Sequence, residues 1–99
     1  MYVEWDPQKA GANFAKHGIM FEEARSVMLD RLAKIHDDEV HSADEHREII
    51  IGHSDKRRLL VVSFTARQDG VRIISARRAT RRERLDYEEF TSSEKKPVI

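Results

Sequence analysis

The sequence predicts an α+β fold, and three groups of residues predict it. Helix boundaries stand near the N-terminus at Asp6-Pro7 and Gly18, three β-prone runs joined by short polar linkers fill the centre, and Thr80-Arg81-Arg82-Glu83 has the form of a capping box. N-terminal helices and a C-terminal helix packed on an antiparallel sheet satisfy all three, with helices over one sheet face and the other face open.

Taken in chain order, Tyr2, Val3 and Trp5 make a short β-prone start that ends where Asp6 can cap a helix and Pro7 fits its first turn. That helix runs to His17, with Ala10, Phe14 and His17 on one stripe and Gly18 as its left-handed stop. Phe21, Ala24, Val27 and Met28 repeat at helical spacing and predict a second helix over Phe21–Leu29. A strand is expected at Ala33–Asp37, followed by a loop to Asp44. Strands are then expected at Arg47–His53, Arg58–Thr65 and Val71–Arg77, linked by Ser54-Asp55-Lys56 and Gln68-Asp69-Gly70, which suit hairpin turns and make a meander economical. The capping box opens a last helix through Phe90. Residues 91–99 lack periodicity and contain Pro97, so they read as a loose tail behind a single domain of residues 1–90.

Composition excludes several chemistries. The chain of 99 residues has no cysteine, which removes disulfides, thiolate nucleophiles and cysteine zinc sites together and fits a reducing cytoplasm. No export signal or membrane-length apolar run is visible, so no membrane partner is expected. His17, His36, His41, His46 and His53 show no metal-ligand spacing, so no metal site is expected. With no Walker loop, nucleophile elbow or dinucleotide fingerprint either, no cofactor is expected.

The formal net charge is zero, 18 basic against 18 acidic residues, but the charges are unevenly placed. Lys56 to Arg84 carries ten basic and two acidic residues, nine of the ten being arginine, whereas Asp37 to Glu48 carries six acids and Arg47. Arginine suits phosphate because its planar guanidinium can hold two oxygens at once. Strict alternation sends Val71, Ile73, Ser75 and Arg77 to one sheet face and Arg72, Ile74, Ala76 and Arg78 to the other, so each face ends in an arginine beside the last helix's N-terminus. Arg77 or Arg78, with Arg81 and Arg82, therefore form a candidate phosphate site; ion pairing to the acidic stretch is the competing use. Lys16-His17 at the first helix's C-terminus offers an acid or base, or simply a helix cap. Trp5 could stack on a base, but a core position is the stronger expectation.

The motif Glu4-Trp5-Asp6, Lys9, Asn13, Lys16-His17-Gly18 and Phe21-Glu22-Glu23-Ala24 resembles the N-terminal signature of the BrnT family of bacterial type II toxins. Arg72-Ile73-Ile74-Ser75-Ala76-Arg77-Arg78-Ala79-Thr80, continuing to Glu83-Arg84 and Tyr87-Glu88, is similar to that family's most recognisable block, with Arg47, Gly52 and Arg58-Leu59 in order between the two. The resemblance spans residues 2–89. It departs at Met20, where the family has a small capping residue, and over Arg31–Glu45. It implies a RelE-like fold, a metal-independent endoribonuclease that arrests growth, and a BrnA-type antitoxin whose ribbon-helix-helix part would bring the complex to operator DNA. Under that reading Arg77 stabilises transition-state charge, Arg58, Arg47 and Arg67 position phosphate, His17 or Lys16 moves the proton, and Arg72, Arg78, Arg81 and Arg82 extend the RNA surface. The alternative is a non-catalytic module that binds nucleic acid or a partner protein through the same arginines.

Overall fold

The computed structural model describes residues 2–41 and 45–95, the side chains of 93–95 excepted. Its elements are β1 (Tyr2–Glu4), α1 (Pro7–His17), α2 (Phe21–Val27), β2 (Lys34–Asp37), a 3-10 turn (Glu39–His41), β3 (Glu48–His53), β4 (Leu59–Arg67), β5 (Gly70–Arg78) and α3 (Arg81–Lys95). The five strands form one sheet in the order β1-β5-β4-β3-β2. The expected antiparallel meander of β3, β4 and β5 is present; β2 adds to it antiparallel to β3, and β1 joins the far edge parallel to β5, so the sheet is mixed.

The ends of α1 follow from the residues that predict them. Asp6 Oδ1 accepts the Gln8 N–H at 2.8 Å, and Gly18, at φ 69°, donates its N–H to Phe14 O at 2.8 Å. The buried stripe differs from the one expected: Phe14 is 53% exposed, while Asn13 is buried. Asn13 is tolerated inside because both ends of its amide are hydrogen-bonded. Nδ2 donates to Ile19 O at 3.0 Å and Ala76 O at 2.8 Å, and Oδ1 accepts the Ala76 N–H at 3.0 Å, which ties α1 to β5. Met20 provides no side-chain cap for α2, whose inner face buries Phe21, Ala24 and Val27 completely. Trp5 packs on this core with its ring edge-on to Phe21, centroids 6.0 Å apart.

Two apolar clusters lie on opposite sides of the sheet. Beneath α1 and α2, Ile19, Phe21, Ala24 and Val27 meet Ile50, Leu60, Val62, Phe64, Val71, Ile73 and Ala76. On the other side Ile51, Leu59 and Val61 are covered by Tyr87 of α3. The expectation that all helices lie over one face is therefore corrected: α3 crosses to the second face and shields one end of it.

The strict alternation expected along β5 also fails. Phe64 pairs with Ile73, yet the preceding Ser63 pairs with Ser75, leaving Ile74 as an extra residue in the ladder. Such a bulge switches the faces of everything beyond it. Val71, Ile73 and Ala76 therefore share the α1–α2 core, and Ser75 and Arg77 emerge on the opposite face.

α3 continues past its expected end at Phe90 to Lys95, which corrects the loose-tail reading for residues 91–95. No helix breaker precedes Pro97, and the buried Thr91 donates its hydroxyl to Glu88 O at 3.2 Å. Residues 96–99, and the part of the expected loop at 42–44, lie outside the described residues.

Asn13→Ala should destabilise the fold by about 3 kcal/mol, because it strands the buried N–H and C=O of Ala76. A loss of the order of a tenth of that in urea unfolding would show that the amide is not a structural tie.

Candidate active site

Beyond the bulge, the second sheet face is a regular array. Ile49, Ser63 and Ser75 are aligned across β3, β4 and β5, and the next row toward α3 is Ile51, Val61 and Arg77. On the other side of the serine row Thr65 pairs with Arg72, and Arg47 immediately precedes β3. Successive rows are about 7 Å apart, two residues of extended chain. Arginines thus flank a strip of hydroxyl and aliphatic side chains.

A cavity of about 310 Å³ occupies this strip, lined by Asp38, Val40, His41, Arg47, Ile49, Val61, Ser63, Ser75 and Arg77. β3, β4 and β5 supply its floor, and the 3-10 turn after β2 supplies one wall. The turn is anchored by the Asp38 N–H, which donates to Arg47 O at 2.9 Å. Asp38 faces His41, whose Nδ1 lies 3.0 Å from Oδ2 and 3.2 Å from Oδ1.

Arg77 is held in place by α3. Its Nη1 and Nη2 donate to Glu83 Oε1 and Oε2 at 2.7 and 2.9 Å, and Nη1 also reaches Arg78 O at 3.2 Å. Glu83 closes the predicted capping box at the same time: Oε1 accepts the Thr80 N–H at 2.8 Å, and the Glu83 N–H donates to Thr80 Oγ1 at 3.2 Å. The Arg77 guanidinium, helped by Thr80 and opposed by burial, holds the Glu83 carboxyl down at about 2, and Glu83 in turn raises Arg77. A guanidinium has five N–H groups, so this fork leaves donors for an anion.

Arg47 and Arg77 are the predicted residues brought into one cavity. Arg72 stands on the same face, and Arg81 and Arg82 are exposed at the start of α3. The others are elsewhere. Arg78 falls on the α1–α2 face with its ladder partner Leu60, and Lys16 and His17 end a helix that packs on that face. Arg67 pairs with Glu4 and Glu45 at 3.7 and 3.3 Å. Arg58 is engaged by the buried Glu23 of α2: its Nε donates to Oε2 at 2.9 Å and its Nη2 to Oε1. Ser54 Oγ adds a bond to Glu23 Oε2 at 2.6 Å, and the Arg58 bonds, with Ser54 behind them, outweigh burial and lower the Glu23 carboxyl.

Asp38, His41, Ser63 and Ser75 are cavity residues that sequence reasoning did not select. The i, i+3 spacing of Asp38 and His41 was the available signal, but it lies in an aperiodic stretch. The structure also gathers Asp37, His46 and Glu48 so that their ligand atoms lie within 4.8 Å, through the Asp37–Glu48 pairing of β2 and β3. Asp37 and His46 pair with each other at 3.1 Å. These are not cavity residues. Among the described residues, no helix is long and apolar enough to cross a membrane.

The family model described as "Ribonuclease toxin, BrnT, of type II toxin-antitoxin system" matches residues 5–83, a stretch that contains every cavity residue. The chain is also similar to the crystal structure of the Brucella abortus ribonuclease toxin BrnT, with a TM-score of 0.64 and 27% identity over 82% of this chain and 99% of that chain. No curated protein matches.

Glu83 and Glu23 are both lowered from 4.5 in the folded state, so their contribution to stability is complete above that value and disappears as pH falls through the folded value, about 2 for Glu83. Urea unfolding followed downward from neutral pH should show stability falling from pH 4.5 toward 2, and Glu83→Gln should flatten part of that slope. An unchanged slope in Glu83→Gln would dissociate Glu83 from acid sensitivity.

Proposed function

The chain belongs to the BrnT family of ribonuclease toxins of type II toxin–antitoxin systems, and we propose that it is a metal-independent endoribonuclease acting on cellular RNA in the cytoplasm. The observation that carries the reading is the cavity in which Arg47 and a preorganised Arg77 face each other across an apolar and hydroxyl strip. RNA needs both kinds of surface: cations for its phosphates and aliphatic or hydroxyl groups for its sugars and bases.

Cleavage proceeds by attack of a 2′-hydroxyl on the adjacent phosphorus. Charge grows on the phosphoryl oxygens in the transition state, and fixed donors aimed at them accelerate the step. Arg77 fills this role, since Glu83 already holds its side chain in position. Arg47 binds the same or the neighbouring phosphate, and Arg72 extends the track along the sheet. Arg58, Lys16 and His17 belong to the other face of the molecule, so the assignments expected for them pass to residues of the cavity. Neutralisation falls to a BrnA-type antitoxin, through which the complex reaches operator DNA.

Purified protein incubated with RNA should release fragments with 2′,3′-cyclic phosphate ends, and EDTA should leave the rate unchanged. Strict dependence on a divalent metal would overturn metal independence and turn attention to Asp37, His46 and Glu48. Binding without fragments would favour a non-catalytic nucleic-acid-binding module.

Arg77→Ala should slow cleavage by about 10²–10³-fold, the usual effect of removing one preorganised donor. Because Arg77 also supports the cap of α3, Arg77→Lys serves as the folded companion: it keeps a charge but loses the fork and should remain impaired. Wild-type cleavage by either folded variant would remove Arg77 from the mechanism.

A further inference from the structure

We propose that His41, oriented by Asp38, is the general base that removes the 2′-hydroxyl proton. The inference rests on the ribonuclease reading and supplies what its arginines cannot, because a guanidinium remains protonated and accepts no hydrogen bond.

Three observations carry it. Asp38 and His41 line the same cavity as Arg47 and Arg77. The Asp38 carboxylate is withdrawn, its side chain 11% exposed, while the His41 side chain is 63% exposed, so the dyad runs from the protein toward open solvent. The hydrogen bond also determines the tautomer. An ionised carboxylate only accepts, so His41 Nδ1 carries the proton given to Asp38, and Nε2 keeps its lone pair as an acceptor. A carboxylate that holds an imidazole in one tautomer and steadies the imidazolium formed later is a recurrent arrangement in hydrolytic sites. Here the backbone bond from Asp38 to Arg47 O fastens the dyad to the strand that leads into the cavity floor.

Other groups at the cavity are poorly suited to the task. Ser63 and Ser75 are hydroxyls without an associated base in their own row, and Glu83 is committed to Arg77 and Thr80. Imidazole is the side chain suited to exchange a proton near neutral pH.

In the step assigned to it, His41 Nε2 takes the 2′-hydroxyl proton as the 2′-oxygen bonds to phosphorus. The bond from phosphorus to the 5′-oxygen breaks, and its electron pair leaves with that oxygen, which takes a proton from water. The imidazolium then gives its proton to the hydroxide that water leaves. The products are a 2′,3′-cyclic phosphate and a 5′-hydroxyl. Asp38 is a positioning residue and touches no substrate.

Single-turnover cleavage of a mixed-sequence oligoribonucleotide tests the assignment in the wild type, His41→Ala, His41→Gln and Asp38→Asn. Circular dichroism checks each fold, and affinity is measured on the 2′-O-methyl form of the same oligonucleotide, which cannot be cut by this route. Both His41 variants should lose about 10²–10⁴-fold in rate with affinity retained. Added imidazole should restore part of the rate to His41→Ala and none to Arg77→Ala. Asp38→Asn should be slower than wild type, and His41→Ala placed on top of it should be no slower than His41→Ala alone. Wild-type cleavage by folded His41→Ala or His41→Gln, or a rate loss matched by lost affinity, would overturn the role of His41 and leave the ribonuclease reading standing. A wild-type protein that binds the RNA but never cuts it would overturn both.

Discussion

The position of Ile74 governs where the chemistry of this protein can be. Ser63 and Phe64 are consecutive on β4, but their partners on β5 are Ser75 and Ile73, and the residue between them has no counterpart in the ladder. Were β5 to pair regularly through Ile74, without the bulge, Arg77 would share a face with Val71 and Ile73, beneath α1 and α2, where a guanidinium would need a buried acid to accompany it. With it, Ala76 takes the buried position and receives both amide bonds from Asn13, and Arg77 is delivered to the open face. Leaving Ile74 out of the ladder therefore makes the hydrophobic core and the cationic cavity compatible on a single strand.

The two forked arginine–glutamate pairs then divide the labour. Arg58 and Glu23 join the β3–β4 turn to α2, with Ser54 and Ser26 completing the junction: Ser54 donates to Glu23, and Ser26 Oγ accepts the Asp55 N–H at 2.8 Å. The Glu23 side chain is 3% exposed, so removing Arg58 would strand a buried charge. Arg77 and Glu83 are more open, and their pairing links the strand that carries the site to the helix that shields its end. A second link reaches α3 from below. Asp30 accepts the His53 and Leu32 N–H groups and the Tyr87 hydroxyl; these bonds offset the burial that would raise its carboxyl, and burial beside Asp30 pushes the Tyr87 hydroxyl up to about 12. Gly52 is required there, since a Cβ would come within 2.9 Å of Asp30 Oδ2.

Local signals were readable in the sequence because their physics is local. Asp6-Pro7, Gly18 and the Thr80–Glu83 box each act within one helical turn, and each forms the bonds its residue types imply. The three central strands were equally legible from their β-branched runs. What could not be read depends on partners distant in sequence. Arg58 is cationic in any reading, but its use is decided by Glu23, 35 residues away. Asn13 lies off the apolar stripe expected for α1, and its burial is decided by Ala76, 63 residues away. Asp38 and His41 acquire meaning only when β2 pairs with β3 and sets their turn beside Arg47. The bulge has no marker within Val71–Arg78 itself, because a bulge is a mismatch between two strands.

The parallel pairing of β1 with β5 has a consequence for the order in which the molecule is made. Tyr2 is translated before its ladder partner Gly70 and before everything between them, so β1 must wait for β5 before this edge of the sheet can close. The hairpins from β2 to β5 need only short loops, whereas β1 must close a loop of nearly the whole domain, the slow and entropically costly kind of contact. Arg77 and Glu83 are translated later still. A chain interrupted before them lacks both the Arg77 side of the cavity and the cap of α3, so the cavity is complete only once β5 and the start of α3 have been made.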